Sequence, residues 1–339
     1  MNQANKEPDK LYHTPPATRA VLLLCAVIFP AVMMKTGSAA FGGILFLLTV
    51  ALQALLFLLT EQPAVFLTAL PAYLLGRLLT GSFLEPLTVF AIAAAAFAVA
   101  AAMRRGKGKT SAVLYTSVTL GVSLGIIAAA MLFAKHGRFS PALLEQIGND
   151  WFDRLRQQML EMIAQIQQSP AAQQLTANGG AAFPDAETVD QSIIYMKWIV
   201  LGLMVDAVTL LSYLCVSLTQ CLTGLLHCPM LIRAQRFEIT VSRGAGLLYC
   251  GAYVVPMLSE SRIATIAALN MIVILAPGLF VAGCSQVKRM LLSARRSRSR
   301  VFLVLLLVFS LLYNVVLFVN FVILVAVWHC FLPKKAGQA

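Results

Sequence analysis

From Ala39 to Leu59 the chain reads AAFGGILFLLTVALQALLFLL, with no ionisable residue in it. A run of that length matches the roughly 20 residues that an α-helix needs to cross the hydrocarbon core of a bilayer. Comparable runs fill Arg19–Met34, Pro63–Leu79, Leu84–Met103, Ser111–Ala134, Ile193–Leu226, Gly244–Leu258, Ile263–Val287 and Val301–Leu332. Hydrophobic residues reach 59% and charged ones only 12%, against about 45–50% and about 25% in a soluble domain. Lipid is the solvent for most of this chain, and only helices or closed barrels satisfy the backbone there. The runs are near-continuous rather than alternating at every second residue, which selects helices. The expected fold is all-α: a polytopic transmembrane helical bundle of about nine spans. Pro71 is a candidate kink in the third span. The Ile193–Leu226 run exceeds what a crossing requires, so it projects beyond the bilayer or tilts strongly.

Charge sets the expected orientation. Lysine and arginine exceed aspartate and glutamate by 26 − 14 = 12, and the excess sits in short loops between spans. Arg104, Arg105, Lys107 and Lys109 crowd one loop; Arg233 and Arg236 lie in CPMLIRAQRFEITVSR; Arg295 and Arg296 lie in KRMLLSARRSRSR. Such placement reads as topology signal and contact with anionic lipid headgroups, not as nucleic-acid binding, for which no motif is present. With the N-terminus inside, nine spans bring loops 104–109, 227–243 and 288–300 to the cytoplasmic face. The same parity puts 136–192 outside, together with Lys334 and Lys335. The Ser38-Ala39-Ala40 string looks like a cleavage site, but the polar leader and Lys35 favour a retained first span over a signal peptide.

The segment His136–Ser192 is the one long stretch suited to water. Within it Leu144, Ile147, Trp151, Leu155, Met159, Met162 and Ile166 recur three or four residues apart, the stripe of an amphipathic helix. Ser140-Pro141 supplies its N-cap and first-turn proline. This extracytoplasmic helical insert can rest on the outer leaflet or its own bundle, cover a ligand cavity, or dock a partner. Residues 1–18 form a cytoplasmic leader, 19–135 a first helix cluster, 136–192 the insert, 193–332 a second cluster and 333–339 a tail.

Polar residues inside spans are the candidate site. Asp206, in WIVLGLMVDAVTLLSYL, can contact a substrate amine, carry a proton or pair with Arg77; its plainer role is bonding to nearby serines and threonines. Asn270, Asn314, Asn320, Gln53 and Gln220 can hydrogen-bond between helices. Asp206 and Asn270 are taken as candidate substrate-binding residues. Glu260 and Arg262 flank a tight turn and can pair with each other. The alanines of Ala91–Ala102 permit close helix approach, within the chain or to another protein. No HExxH, GxSxG, ATP-binding or cofactor-binding pattern occurs, and GKGKT lacks the glycine spacing of a phosphate loop. The cysteines lie in or beside apolar runs without metal-site spacing. No enzymatic activity and no cofactor are expected.

An alanine-rich span followed by RRGKGKTSAVLYTSVTLG resembles a cytoplasmic joint in the substrate-binding S components of energy-coupling-factor transporters. RAQRFEITVSRGAGLLYCGAYVVP, a span containing Asn270, a basic loop and a last long span complete an order that resembles the YybS-like bacterial predicted membrane proteins, distant relatives of those components. The resemblance implies a protein of the bacterial cytoplasmic membrane that binds a small molecule and works with a separate ATPase or coupling subunit. The reading from a different class is a non-transporting scaffold for envelope assembly.

Overall fold

Apolar runs in lipid close their hydrogen bonds within themselves, and each run named above contains helix. The computed structural model describes residues 16–36, 38–106, 108–137, 140–168, 184–225, 241–293, 305–309 and 314–331. The helices are α1 (Pro16–Lys35), α2 (Ala39–Thr60), α3 (Ala69–Thr80), α4 (Thr88–Arg104), α5 (Lys109–His136), α6 (Pro141–Gln167), α7 (Ala186–Leu225), α8 (Arg243–Leu258), α9 (Arg262–Ser293) and α10 (Val315–Phe331). Among the described residues there is no strand. Seven apolar helical stretches among them are long enough to cross a membrane. The chain is therefore an all-α integral membrane protein.

Pro63, Pro71 and Pro86 sit where a helix starts rather than where one was expected to bend. Pro63 and Pro86 open 3-10 turns at Pro63–Thr68 and Glu85–Leu87 that lead into α3 and α4, positions where a missing N–H costs nothing. Pro71 falls in the first turn of α3, for the same reason. The Val301–Leu332 run is interrupted: Asn314 is non-helical, and its Oδ1 accepts from the Val316 N–H at 2.7 Å to start α10. An asparagine in an apolar run served here as a cap. Helices α8 and α10, with 16 and 17 residues, are about 24–26 Å long.

The chain divides into two compact units. One is drawn from Met1–Met131, Ala207–Val241 and Phe280–His329, the other from Leu132–Asp206, Ser242–Leu279 and Cys330–Ala339. In the first, the alanine helix α4 lies at the centre. Ala91, Ala95, Ala96, Val99, Ala100 and Ala102 are buried against α2, α5 and the second half of α7, with Ala54, Ala112, Leu120, Cys215 and Val216 in the same core. The small side chains thus serve close approach inside this chain. Val27 and Met34 of α1 meet Ala69 and Ala72 of α3, while Glu61 after α2 pairs with Arg104 ending α4 at 3.6 Å. Both pairs run parallel, as alternate spans of an up-and-down bundle must.

In the second unit, α6 packs on the first half of α7. Phe152 is buried with Val189 and Ile193, and Leu155, Met159, Leu160 and Ile163 join Met196 and Val200 around them. Lys197 Nζ donates to Asn149 Oδ1 at 3.2 Å, and Arg156 grips the Asp190 carboxylate through Nε and Nη2. As the α6 numbers rise the α7 numbers fall, so the two form an antiparallel pair. The buried face of α6 lies to one side of the expected stripe: Leu155 and Met159 are in the contact, but Leu144, Trp151 and Met162 are exposed. The reason is α7 itself. Its 40 residues extend about 60 Å, twice the hydrocarbon thickness, and its projecting turns offer Val189, Ile193, Met196 and Val200 as an apolar seam.

Candidate intramembrane polar site

A hydroxyl in an apolar helix satisfies itself by donating to the carbonyl four residues back. Thr49, Thr116, Ser212 and Thr219 all do so, at 2.7–2.8 Å. A carboxylate only accepts, and the preceding carbonyls also only accept, so an aspartate in a helix has no such local remedy. Asp206 Oδ1 is buried with no hydrogen-bond partner, and no ion pair reaches Asp206 from the described residues. The nearby Ser212 hydroxyl donates to the Val208 carbonyl of its own helix instead. Arg77, one expected partner, places its guanidinium 3.6 Å from the centre of the Phe83 ring.

One turn before Asp206, on the same face of α7, stands Gly202, and opposite it stands Asn270 of α9. The Gly202 N–H donates to Asn270 Oδ1 at 2.6 Å, and Asn270 Nδ2 donates to the Trp198 carbonyl at 2.6 Å and the Ile266 carbonyl at 2.8 Å. Residues 198 and 202 are the acceptor and donor of a single turn of α7, so the asparagine amide splints that turn from the neighbouring helix. Both of its donors are committed. The approach requires glycine: a Cβ at 202 would lie 2.9 Å from Asn270 Oδ1 and 3.2 Å from Val273 Cβ and Cγ1. Towards the start of both helices, Arg262 lies 5.2 Å over the Trp198 ring, an aromatic and basic pair typical of a membrane interface. Arg262 therefore finds Trp198, and no ion pair joins it to Glu260 among the described residues.

These contacts order the seam. Trp198 meets Arg262 and Asn270; Gly202 meets Asn270 and Val273. Numbers rise together, so α7 and α9 run parallel, and Asp206 comes level with the turn after Val273. There Pro277 sits inside α9. It has no N–H to give the Val273 carbonyl. Asp206 Oδ1 thus has no donor, and the Val273 carbonyl cannot receive the i+4 N–H of an ordinary helix.

The remaining candidates fall elsewhere. Arg104 pairs with Glu61 and lies 6.0 Å from the Phe57 ring centre. Exposed Arg105 ends α4, and Lys109 begins α5 with its ammonium 4.4 Å from the Tyr213 ring centre. Lys107, Arg233, Arg236, Arg295 and Arg296 lie outside the described residues. Gln53 donates across to Thr68 Oγ1 at 3.3 Å. Gly202, Trp198 and Pro277 were not singled out from the sequence. The available signals were a glycine four residues before the aspartate and a proline deep within an apolar run. No group of histidine, cysteine, aspartate and glutamate suited to a metal occurs among the described residues. No family model, curated protein or solved structure matches the chain.

Proposed function

We propose that this integral membrane protein is a transporter-like subunit that binds a small molecule among its spans, with Asp206 as the charged contact. The observation that carries the reading is the buried Asp206 oxygen without a donor in the apolar part of α7. A carboxylate in a span is costly to keep and marks a ligand or ion path. The resemblance to YybS-like proteins, and through them to energy-coupling-factor S components, supports the same class. On this reading the protein resides in the bacterial cytoplasmic membrane with its N-terminus and basic loops inside and 136–192 outside. Arg104, Arg105 and Lys109 then meet anionic headgroups, and a separate ATPase or coupling subunit supplies energy. Asn270 shapes the site by holding α7 open to close approach, and no catalysis is involved.

Mass spectrometry of the purified protein tests this reading. A small molecule that co-purifies with the native chain should be absent from Asp206→Ala, and full retention by that variant would overturn the assignment. The scaffold reading draws on a different observation, the exposed Leu144, Trp151 and Met162 of α6. Under it, Trp151→Ser releases co-purifying envelope proteins, while Asp206→Ala changes nothing.

A further inference from the structure

We infer that the α7–α9 seam at Asp206 binds a monovalent metal cation of the sodium class. The inference deepens the transport reading and rests on its assignment of Asp206 as a ligand contact. Three observations converge on it. The Asp206 carboxylate is an acceptor with a buried, unpartnered oxygen. The Val273 carbonyl is left without its i+4 donor because residue 277 is proline, and in a parallel pair that carbonyl points along the chain towards the level of Asp206. The Gly202–Val273 contact holds the two helices close just one turn away.

Oxygen ligands without nitrogen or sulfur select a hard cation. A single carboxylate in a medium of low dielectric balances a single positive charge. Calcium calls for 6–8 oxygens and is commonly held by several carboxylates. Among the described residues no cluster of acidic side chains supplies them. Carbonyls of unwound membrane helices coordinate sodium; α9 stays helical through Pro277, and the one carbonyl that loses its i+4 donor there is that of Val273.

The test is binding of radioactive sodium to the purified full-length chain in detergent, measured by equilibrium dialysis with lithium and potassium as competitors. Native protein should bind sodium saturably. Asp206→Asn, which keeps the side-chain shape, should lose that binding. Pro277→Ala returns an N–H to the Val273 carbonyl and should weaken it, while Glu145→Gln on exposed α6 should leave it intact. Absence of saturable binding by native protein overturns the inference, whatever the variants do. So does unchanged affinity in Asp206→Asn. If Asp206→Asn fails to fold, Pro277→Ala decides: unchanged affinity there overturns the proposal. A site that responds to protons only, with no sodium retained, also overturns it. Sodium binding without any small-molecule ligand would leave this inference standing and remove the transport reading. A small molecule bound with no sodium would do the reverse.

Discussion

The surroundings of α4 and the seam between α7 and α9 solve one problem by opposite means. Lipid tails are as apolar as leucine, so helices in a bilayer gain little by hiding apolar surface from each other. Around α4 the solution is shape: Ala95, Ala96 and Ala100 are fully buried and let backbones approach. In the α7–α9 seam it is polarity, with one asparagine amide bonded to both helices across a glycine. The first arrangement resists any added volume. The second sets that amide one turn from an aspartate with an unpartnered oxygen.

Substitutions can break or sharpen that contrast. The largest effect is expected at α4, where Ala95→Leu should destabilise the protein by about 3 kcal/mol through overpacking. Phe97→Leu, at a half-exposed site on the same helix, should be near neutral. Thermal unfolding in detergent distinguishes them, and equal effects would mean that α4 is not held by close packing. Next comes Gly202→Ala, expected to cost about 2 kcal/mol because the new Cβ meets Asn270 and Val273. Gly125→Ala meets nothing within 4 Å and should not destabilise, so the pair isolates the close approach from glycine flexibility.

A smaller loss, about 1 kcal/mol, is expected for Asn270→Leu, in line with hydrogen bonds between membrane helices. Amide exchange should rise at Gly202 rather than across the whole of α7. The smallest effect concerns the start of α7 outside the apolar stretch. Asp185 Oδ1 accepts from the Thr188 hydroxyl at 2.6 Å and its N–H at 2.9 Å, and these bonds hold the carboxyl below its ordinary value. A lowered folded value stabilises above the unfolded pKa of about 3.9 and is lost as pH falls through the folded one. Fraying of the first turn of α7 should therefore increase below about pH 4, as read by local amide exchange. Asp185→Asn should flatten that dependence.

The site was legible only in part because its residues carry different kinds of signal. An aspartate in an apolar run is visible one residue at a time, and so is an asparagine. That Asn270 faces Gly202 while Asp206 lies a turn beyond it depends on which of several apolar faces meet. The sequence of a span, apolar all round, does not specify that. The same ambiguity shifted the reading of α6, whose apolar residues cover two adjoining faces: Phe152, Leu160 and Ile163 joined Leu155 and Met159 against α7, while Trp151 turned outward.

Hydrophobic run length alone determined that this chain is helical and spans a membrane, because unsatisfied backbone in lipid leaves no cheaper choice. Each run contains helix, but only seven helical stretches among the described residues are long and apolar enough to cross a membrane, fewer than the nine expected. Partner choice among helices was decided only by the tertiary structure. In lipid that choice turns on packing of small residues and on a few hydrogen bonds worth about 1 kcal/mol each. Such differences emerge only when Gly202, Asn270 and Val273 are brought together.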